Sequence, residues 1–345
     1  MQHHLRLLFT LSIGLSACTH NSPMGPMPTG LTQAPAKNSS LLLHKISFGS
    51  CNKQDLPQPL WRKLLEEKPD LWIWAGDAIY ADTHDMELMT QMYSRQLQQV
   101  EYAAFLASGI PIIGVYDDHD LGGNDIGGSY PEKLQAKSLF LDFIGEPKQS
   151  ARRQQAGIYT AYRFGPEGKR VKVILLDTRY NREEPGKDSD MLGAEQWSWL
   201  AQELKQVDAE VVLVVSSIEV LPFEHDFEKW ANFPKSRARL LSLLDQSPYR
   251  NILLISGDRH IAEISKIALN SGRELLEVTS SGLTHSYSHY TGARNTNSLR
   301  VGPVLPRLNY GILQIDWESP QPKISVEVRD INKAIILQQS LPILR

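Results

Sequence analysis

The chain has 345 residues, 41% of them hydrophobic and 22% charged, ordinary globular proportions that support a substantial core in one large α/β domain or two small ones. Its 36 basic and 39 acidic side chains leave a formal net charge of -3, which excludes an electrostatic case for nucleic acid as the main partner.

The first residues read as an export signal rather than as fold. Arg6 precedes an apolar stretch from Leu7 to Leu15, too short to span a bilayer and of the length of a signal-peptide core. It ends in Leu15-Ser16-Ala17-Cys18, which resembles a bacterial lipobox. Cys18 is therefore expected to be the first mature residue, carrying lipid; an ordinary signal and an uncleaved membrane anchor are the alternatives. Thr19 stands where an Asp would favour inner-membrane retention, so the expected place is the cell envelope, with the outer membrane and its periplasmic face favoured. Residues 19–43, rich in Pro, Ser, Thr, Asn and Gly, read as a flexible tether. The expected organisation is a signal over 1–18, a tether over 19–43 and one catalytic domain over 44–345.

From Lys45 onward strand-like and helix-like segments alternate. Strands are expected at 45–50, 70–75 and 110–116, with helices at 59–67, 86–107 and 131–144 between and after them. The apolar stripes are Leu60, Leu64 and Leu65 in the first helix, and Leu134, Leu139 and Phe143 in the third. Residues 158–164 and 171–177 look like paired strands. A helix over 194–206, a strand over 210–216, a helix over 235–244 and a strand over 251–256 follow. The runs Val211-Val212-Leu213-Val214-Val215 and Ile252-Leu253-Leu254-Ile255 are continuous, as in strands buried on both faces. Residues 310–317, 323–329 and 334–340 alternate more and are separated by turns, so they are expected to close a sheet as antiparallel strands. The fold class is α/β, with layers on both sides of mixed sheets.

The polar residues that stand out share one topological place: each follows the carboxyl end of an apolar strand, where open α/β sheets put their ligand crevice. Cys51 ends the first strand and has no obvious disulfide partner, since the other cysteine lies in the leader. A lone thiol there is buried filler, a reactive nucleophile or a metal ligand, and the neighbouring strand ends favour the ligand. Asp77 follows Gly76, with Tyr80 three residues on as a possible phenolate ligand or a packed aromatic. Asp117-Asp118-His119-Asp120 would repel unless cations neutralise it, and Gly122-Gly123 then lets Asn124 or Asp125 turn back towards the site. His119, flanked by carboxylates, suits a proton donor to a phosphate oxygen or leaving group. Asp258 and His260 are two apart and would share one face of an extended stretch, a two-ligand clip with Arg259 facing away into a salt bridge. Arg179 ends another strand, where a guanidinium fork fits a phosphate or pairs with a local carboxylate. His285 and His289 could rim a substrate pocket. No Gly-x-Ser-x-Gly elbow, Walker loop or dinucleotide fingerprint is present.

Taken together, Gly49-Ser50-Cys51-Asn52, Gly76-Asp77-Ala78-Ile79-Tyr80, Asp117-Asp118-His119-Asp120 with Gly123-Asn124-Asp125, Asp177-Thr178-Arg179 and Ser256-Gly257-Asp258-Arg259-His260 resemble, in order, the motifs of the PhoD-like metallophosphatases, the alkaline phosphatase D family. The resemblance runs over roughly residues 44–340, in a form without the extra N-terminal β domain of larger members. It implies a four-layer α/β/β/α sandwich. It also implies metal ligation by Cys51, Asp77, Tyr80, Asp118, Asp258 and His260, with Asn124 and Asp117 as further candidates. In that family pattern Cys51 and Tyr80 sit on a ferric iron, and carboxylates bridge to calcium or another divalent ion. His119 takes the place of the catalytic histidine, and Arg179 with His119 offsets charge on the phosphoryl group. The expected activity is hydrolysis of phosphoric mono- or diesters by a metal-activated water. The alternatives are a phospholipase-type diesterase acting on lipid headgroups and a non-catalytic envelope lipoprotein.

Overall fold

A computed structural model describes residues 34–287 and 292–344. The elements run β1 (Asn38–Ser39), β2 (Lys45–Gly49), α1 (Leu60–Glu67), β3 (Leu71–Ala75), α2 (Met86–Gln98), α3 (Val100–Ala107), β4 (Ile112–Val115), α4 (Asp118–Leu121), α5 (Lys133–Phe143), α6 (Ala151–Gln154), β5 (Thr160–Phe164) and β6 (Val171–Leu175). They continue through α7 (Ala194–Lys205), β7 (Val211–Val215), α8 (Pro234–Gln246), β8 (Ile252–Ser256), β9 (Ala262–Ala268), β10 (Glu274–Ser280), β11 (Asn309–Asp316), β12 (Lys323–Asp330) and β13 (Ile335–Pro342).

The strands form two mixed sheets. One has the order β13-β12-β11-β2-β3-β4, with β2, β3 and β4 parallel and β11 to β13 an antiparallel meander. The other has the order β1-β5-β6-β7-β8-β10-β9, with β6, β7, β8 and β10 parallel. The alternation of side chains along β7 shows how the layers stack. Val211, Leu213 and Val215 join the core that also holds Ile46, Ile73 and Val326 of the other sheet. Val212 and Val214 point the other way, to Trp197 and Leu200 of α7 and Leu240 of α8. Each central strand is thus buried on both faces, which is why these runs are continuously apolar. On the opposite flank Trp61 of α1 packs its ring 4.9 Å from Trp72 and 5.2 Å from Trp74 of β3, and Phe105 of α3 closes the same aromatic cluster. The four-layer α/β/β/α arrangement is the one expected.

Three local expectations change. The helix expected over 86–107 is two, because Gln99 leaves helical backbone (φ -59, ψ 126) between α2 and α3. Leu134 is 57% exposed; α5 buries Ala136, Phe140 and Leu141 instead, a face set by where α2 lies. Strands β9 and β10 were not expected, since Glu263, Ser265 and Glu277 interrupt their apolar pattern and yet are buried.

Candidate metal centre

The carboxyl ends of β2, β3, β4 and β8 meet where the two sheets approach, joined by the Ser50–Ser281 bridge. The approach is tight: a Cβ on Gly257 would lie 2.5 Å from the Ala75 carbonyl, and one on Gly76 2.7 Å from the Asp117 Cβ. At this junction four non-glycine residues hold left-handed backbone: Cys51 (φ 60), Asp77 (φ 49), Asp258 (φ 67) and His260 (φ 53). Such conformations persist where the surroundings impose them, and they cluster at functional sites.

Cys51 is fully buried, its Sγ 3.3 Å from Asp77 Oδ2 and 2.9 Å from Ser281 Oγ. The Tyr80 hydroxyl lies 3.2 Å from Asp77 Oδ2 and 2.8 Å from His260 Nε2. Ligand atoms of Cys51, Asp77 and His260 fall within 4.8 Å of one another, as do those of Asp77, Asp117, Asp118 and Asp258. Asp118, Asp125 and Glu228 form a further group of the same tightness. Asp258 and His260 both line the cleft, but each from left-handed backbone rather than from the extended stretch expected; Arg259 between them makes the expected salt bridge, to Glu219 at 3.0 Å.

Burial and neighbouring carboxylates push Asp77 and Asp258 well above the usual range, and burial raises Asp117 to about 7 despite Arg179. Asp118 is also buried, but Arg179, His119 and the Asp125 amide hold it below the usual value. Burial likewise raises the Cys51 thiol to about 11. Burial and the neighbouring His285 lower His260 to about 3, so its imidazole is neutral, as a ligand must be. Burial opposes charge on His119, but Asp82, Asp118 and Asp117 prevail and its pKa rises. Its Nδ1 bonds Asp82 Oδ1 at 2.5 Å, leaving Nε2 for the cleft that His119 lines.

Two oxygens decide what the cluster is for. Asp77 Oδ1 and Asp117 Oδ2 are buried and have no hydrogen-bond partner. Buried carboxylate oxygens without partners are costly, and a cation is the group that satisfies several at once. The donor set of thiolate, phenolate, imidazole and carboxylates therefore fits bound metal. The PhoD-like phosphatase family matches residues 47–305. The chain belongs to that family. The fold agrees with the solved structure titled "Structure of PhoD", at 16% identity and a TM-score of 0.65 over 88% of this chain and 73% of that one. It also agrees with GAP50, the anchor in the inner membrane complex of Plasmodium, at 13% identity and a TM-score of 0.55 over 88% and 90%. No match was found among the curated proteins. Membership makes the protein a phosphatase of the metallophosphatase type, and its strand ends carry carboxylates grouped closely enough to hold metal.

Not every expected residue enters the centre. Arg179 is fully buried: Nε bonds Asp117 Oδ1 at 2.5 Å and the terminal nitrogen lies 2.6 Å from Glu228 Oε2. Of the two roles open to it, phosphate fork or partner of local carboxylates, the geometry shows the second, a buried clamp on Asp117 and Glu228. Asn124 is exposed on the cleft wall, while its neighbour Asp125 reaches Asp118 and Glu228. Asp177 is spent on structure, accepting from Tyr116, Ile158 and Arg179. His285 packs its ring 4.4 Å from that of His260, and burial lowers it to about 4. His289 and Cys18 lie outside the described residues. Sequence reasoning missed Glu228, Ser281 and Ser217, which bonds Asp117. Ser217 follows an apolar strand end and was findable by that rule. Glu228 sits in an irregular loop with no local signal.

Proposed function

We propose that the protein hydrolyses phosphoric mono- or diesters in the cleft bounded by His119, Asp258 and His260. The observation that carries this reading is the pair of orphaned oxygens, Asp77 Oδ1 and Asp117 Oδ2, beside a histidine poised to carry a proton. Cys51, Tyr80, Asp77 and His260 would hold a thiolate-selecting metal, with ferric iron the proposed ion; Asp117, Asp118 and Asp258 would hold calcium or another divalent ion. Bound there, such cations supply acidified water and charge stabilisation for an in-line displacement at phosphorus.

The chain's own groups do the rest. Asp82 holds Nδ1 of His119, so Nε2 donates to the departing alkoxide. Arg179, locked between Asp117 and Glu228, keeps those carboxylates aimed while offsetting their mutual repulsion. The buried Cys51 thiol is kept from other chemistry by the walls around it.

The lipobox-like stretch ending at Cys18 supports a lipid-anchored envelope protein; among the described residues no helix is long and apolar enough to cross a membrane. Purified protein, assayed for metal content and for turnover of a soluble monoester, a soluble diester and a phospholipid, tests the reading. Turnover that tracks metal content on the soluble esters is expected. Phospholipid turnover alone would move the substrate to lipid headgroups, and no turnover with metals bound would overturn hydrolysis. Cys18→Ala is expected to release the protein from the membrane fraction or to leave it unprocessed.

A further inference from the structure

The cleft is about 470 Å³ and is not uniform along its length. Beside His119, Asp258 and His260 it is lined by Phe227, Tyr287 and Arg294. Tyr287 is 41% exposed and Phe227 is half-buried, although most of the other groups lining the cleft are polar. Large aromatic rings left facing a cleft mark a place where a ligand completes their burial.

The two rings form one surface that starts at the metal ligands. The Tyr287 backbone N–H donates to the His260 carbonyl at 2.9 Å, and its ring lies 4.9 Å from the His260 ring. Phe227 continues the surface, with its ring 5.8 Å from Tyr287 and tilted by 30°. Two guanidiniums hold it in place, Arg294 at 5.5 Å from the ring centroid and Arg259 nearer. The Arg259 guanidinium lies 4.3 Å from the ring centroid and is itself fixed by Glu219 at 3.0 Å and Asn295 at 2.7 Å. The Phe227 amide donates to His225 Nδ1 at 3.2 Å. A ring fixed before binding loses little freedom on binding. Neither ring is needed by the proposed chemistry.

Resting on the reading of the site as a phosphoric ester hydrolase, we infer that Phe227 and Tyr287 are a specificity wall for esters whose alcohol carries a planar aromatic ring on a short linker. The phosphoryl group sits among the ligands and the ring stacks on the wall. The ring belongs to a nucleobase or to a simple aryl alcohol, and the substrates below separate these.

The test compares 2-phenylethyl phosphate with 2-cyclohexylethyl phosphate, which have the same kind of leaving alcohol and differ in planarity. Wild-type protein loaded with metal is expected to favour the phenyl ester by about tenfold in kcat/KM, the size of one base-aromatic stacking contact. Tyr287→Ala and Phe227→Leu, the latter keeping apolar volume, should each bring that ratio towards one, and Phe227→Trp should restore it. A nucleoside 5′-phosphate against ribose 5-phosphate gives the same comparison for a base, and preference in only one pair assigns the source. A wild-type ratio near one in both pairs, or a ratio unchanged in both variants, overturns the wall. Saturation-transfer NMR with adenosine and with 2-phenylethanol reads the wall without turnover. If no ester is hydrolysed but one of these alcohols binds wild type and not Tyr287→Ala, hydrolysis fails and the wall stands; if neither binds, the wall fails too.

Discussion

Two clusters of buried carboxylates lie on either side of the Asp258–His260 turn, and they are satisfied in opposite ways. Behind the turn, Glu219 accepts from Arg259, His225 and Thr279. Glu277 accepts from the Val220 and Leu221 amides, and Glu263 from Asn297 and Arg300. In front of the turn, Asp77 and Asp117 each keep an oxygen with no partner. Both clusters are buried and acidic, and in both burial raises carboxyl pKa values, Glu263 to about 7 and Glu277 to about 8. Acidity is therefore not the mark of a metal centre. The mark is lone pairs that the protein leaves unused, together with left-handed backbone at Cys51, Asp77, Asp258 and His260 around them.

The sharpest way to break the comparison is to change a front-cluster ligand. Asp77→Asn or Cys51→Ser should lower activity by more than about a thousandfold, the several kcal/mol that Lewis-acid stabilisation supplies. Metal measured on the same preparations should fall with it, while far-UV circular dichroism stays that of the folded protein. Full metal content in Cys51→Ser would remove the thiol from the ligand set.

A smaller effect separates ligand from proton donor within the front cluster. His119→Ala should cost about a hundredfold on an alkyl phosphate, within the usual range for a general acid, and far less on an activated aryl ester. Metal content should hold. Loss of metal in parallel would make His119 a ligand, and loss of neither would make it structural.

The front cluster was legible in the sequence because its residues sit at strand ends, and parallel strands bring their carboxyl ends together whatever the loops do. Cys51, Asp77, Asp118, Asp258 and His260 all follow that rule. Arg179 follows it too, but the sequence left open whether it meets phosphate or a carboxylate. Its partner Asp117 follows β4, a strand of the other sheet, and only the packing of the two sheets decides that the guanidinium is used up there. The back cluster was not legible. Glu263 and Ser265 lie on an inner face of β9 where an apolar residue would be expected, and they are tolerated because Asn297, distant in sequence, bonds both. Polar residues inside a strand read as loop until their partners are known.

The back cluster should respond in stability and not in metal. Glu219→Gln keeps shape but removes the charge that Arg259 and His225 share, and should cost about 2 kcal/mol of unfolding free energy. Denaturant unfolding measures this; metal stoichiometry on the same variant should equal wild type. A parallel loss of metal would mean that the two clusters act as one.

The smallest effect concerns His225. Its Nδ1 accepts from the Phe227 amide, so in the fold it is neutral, with the proton on the Nε2 that faces Glu219. Burial, with the Arg259 and Lys229 charges and against Glu263, lowers its pKa to about 3. The folded value lies below the unfolded one of about 6.5, so the unfolded chain takes up the proton first as pH falls. The stability from neutral His225 is complete above about pH 6.5 and is lost towards pH 3, at about 1.4 kcal/mol per pH unit. Glu263 and Glu277 act in the opposite sense, because their raised values favour the protonated fold at low pH. The quantity to measure is therefore the difference between wild type and His225→Asn across pH 4 to 8. The stability of the wild type should decline relative to the variant as pH falls below about 6.5. Parallel curves would show that folding leaves the imidazole pKa unshifted, and a wild type that gains on the variant as pH falls from 8 would show it charged in the fold, held by Glu219 and not by the Phe227 amide.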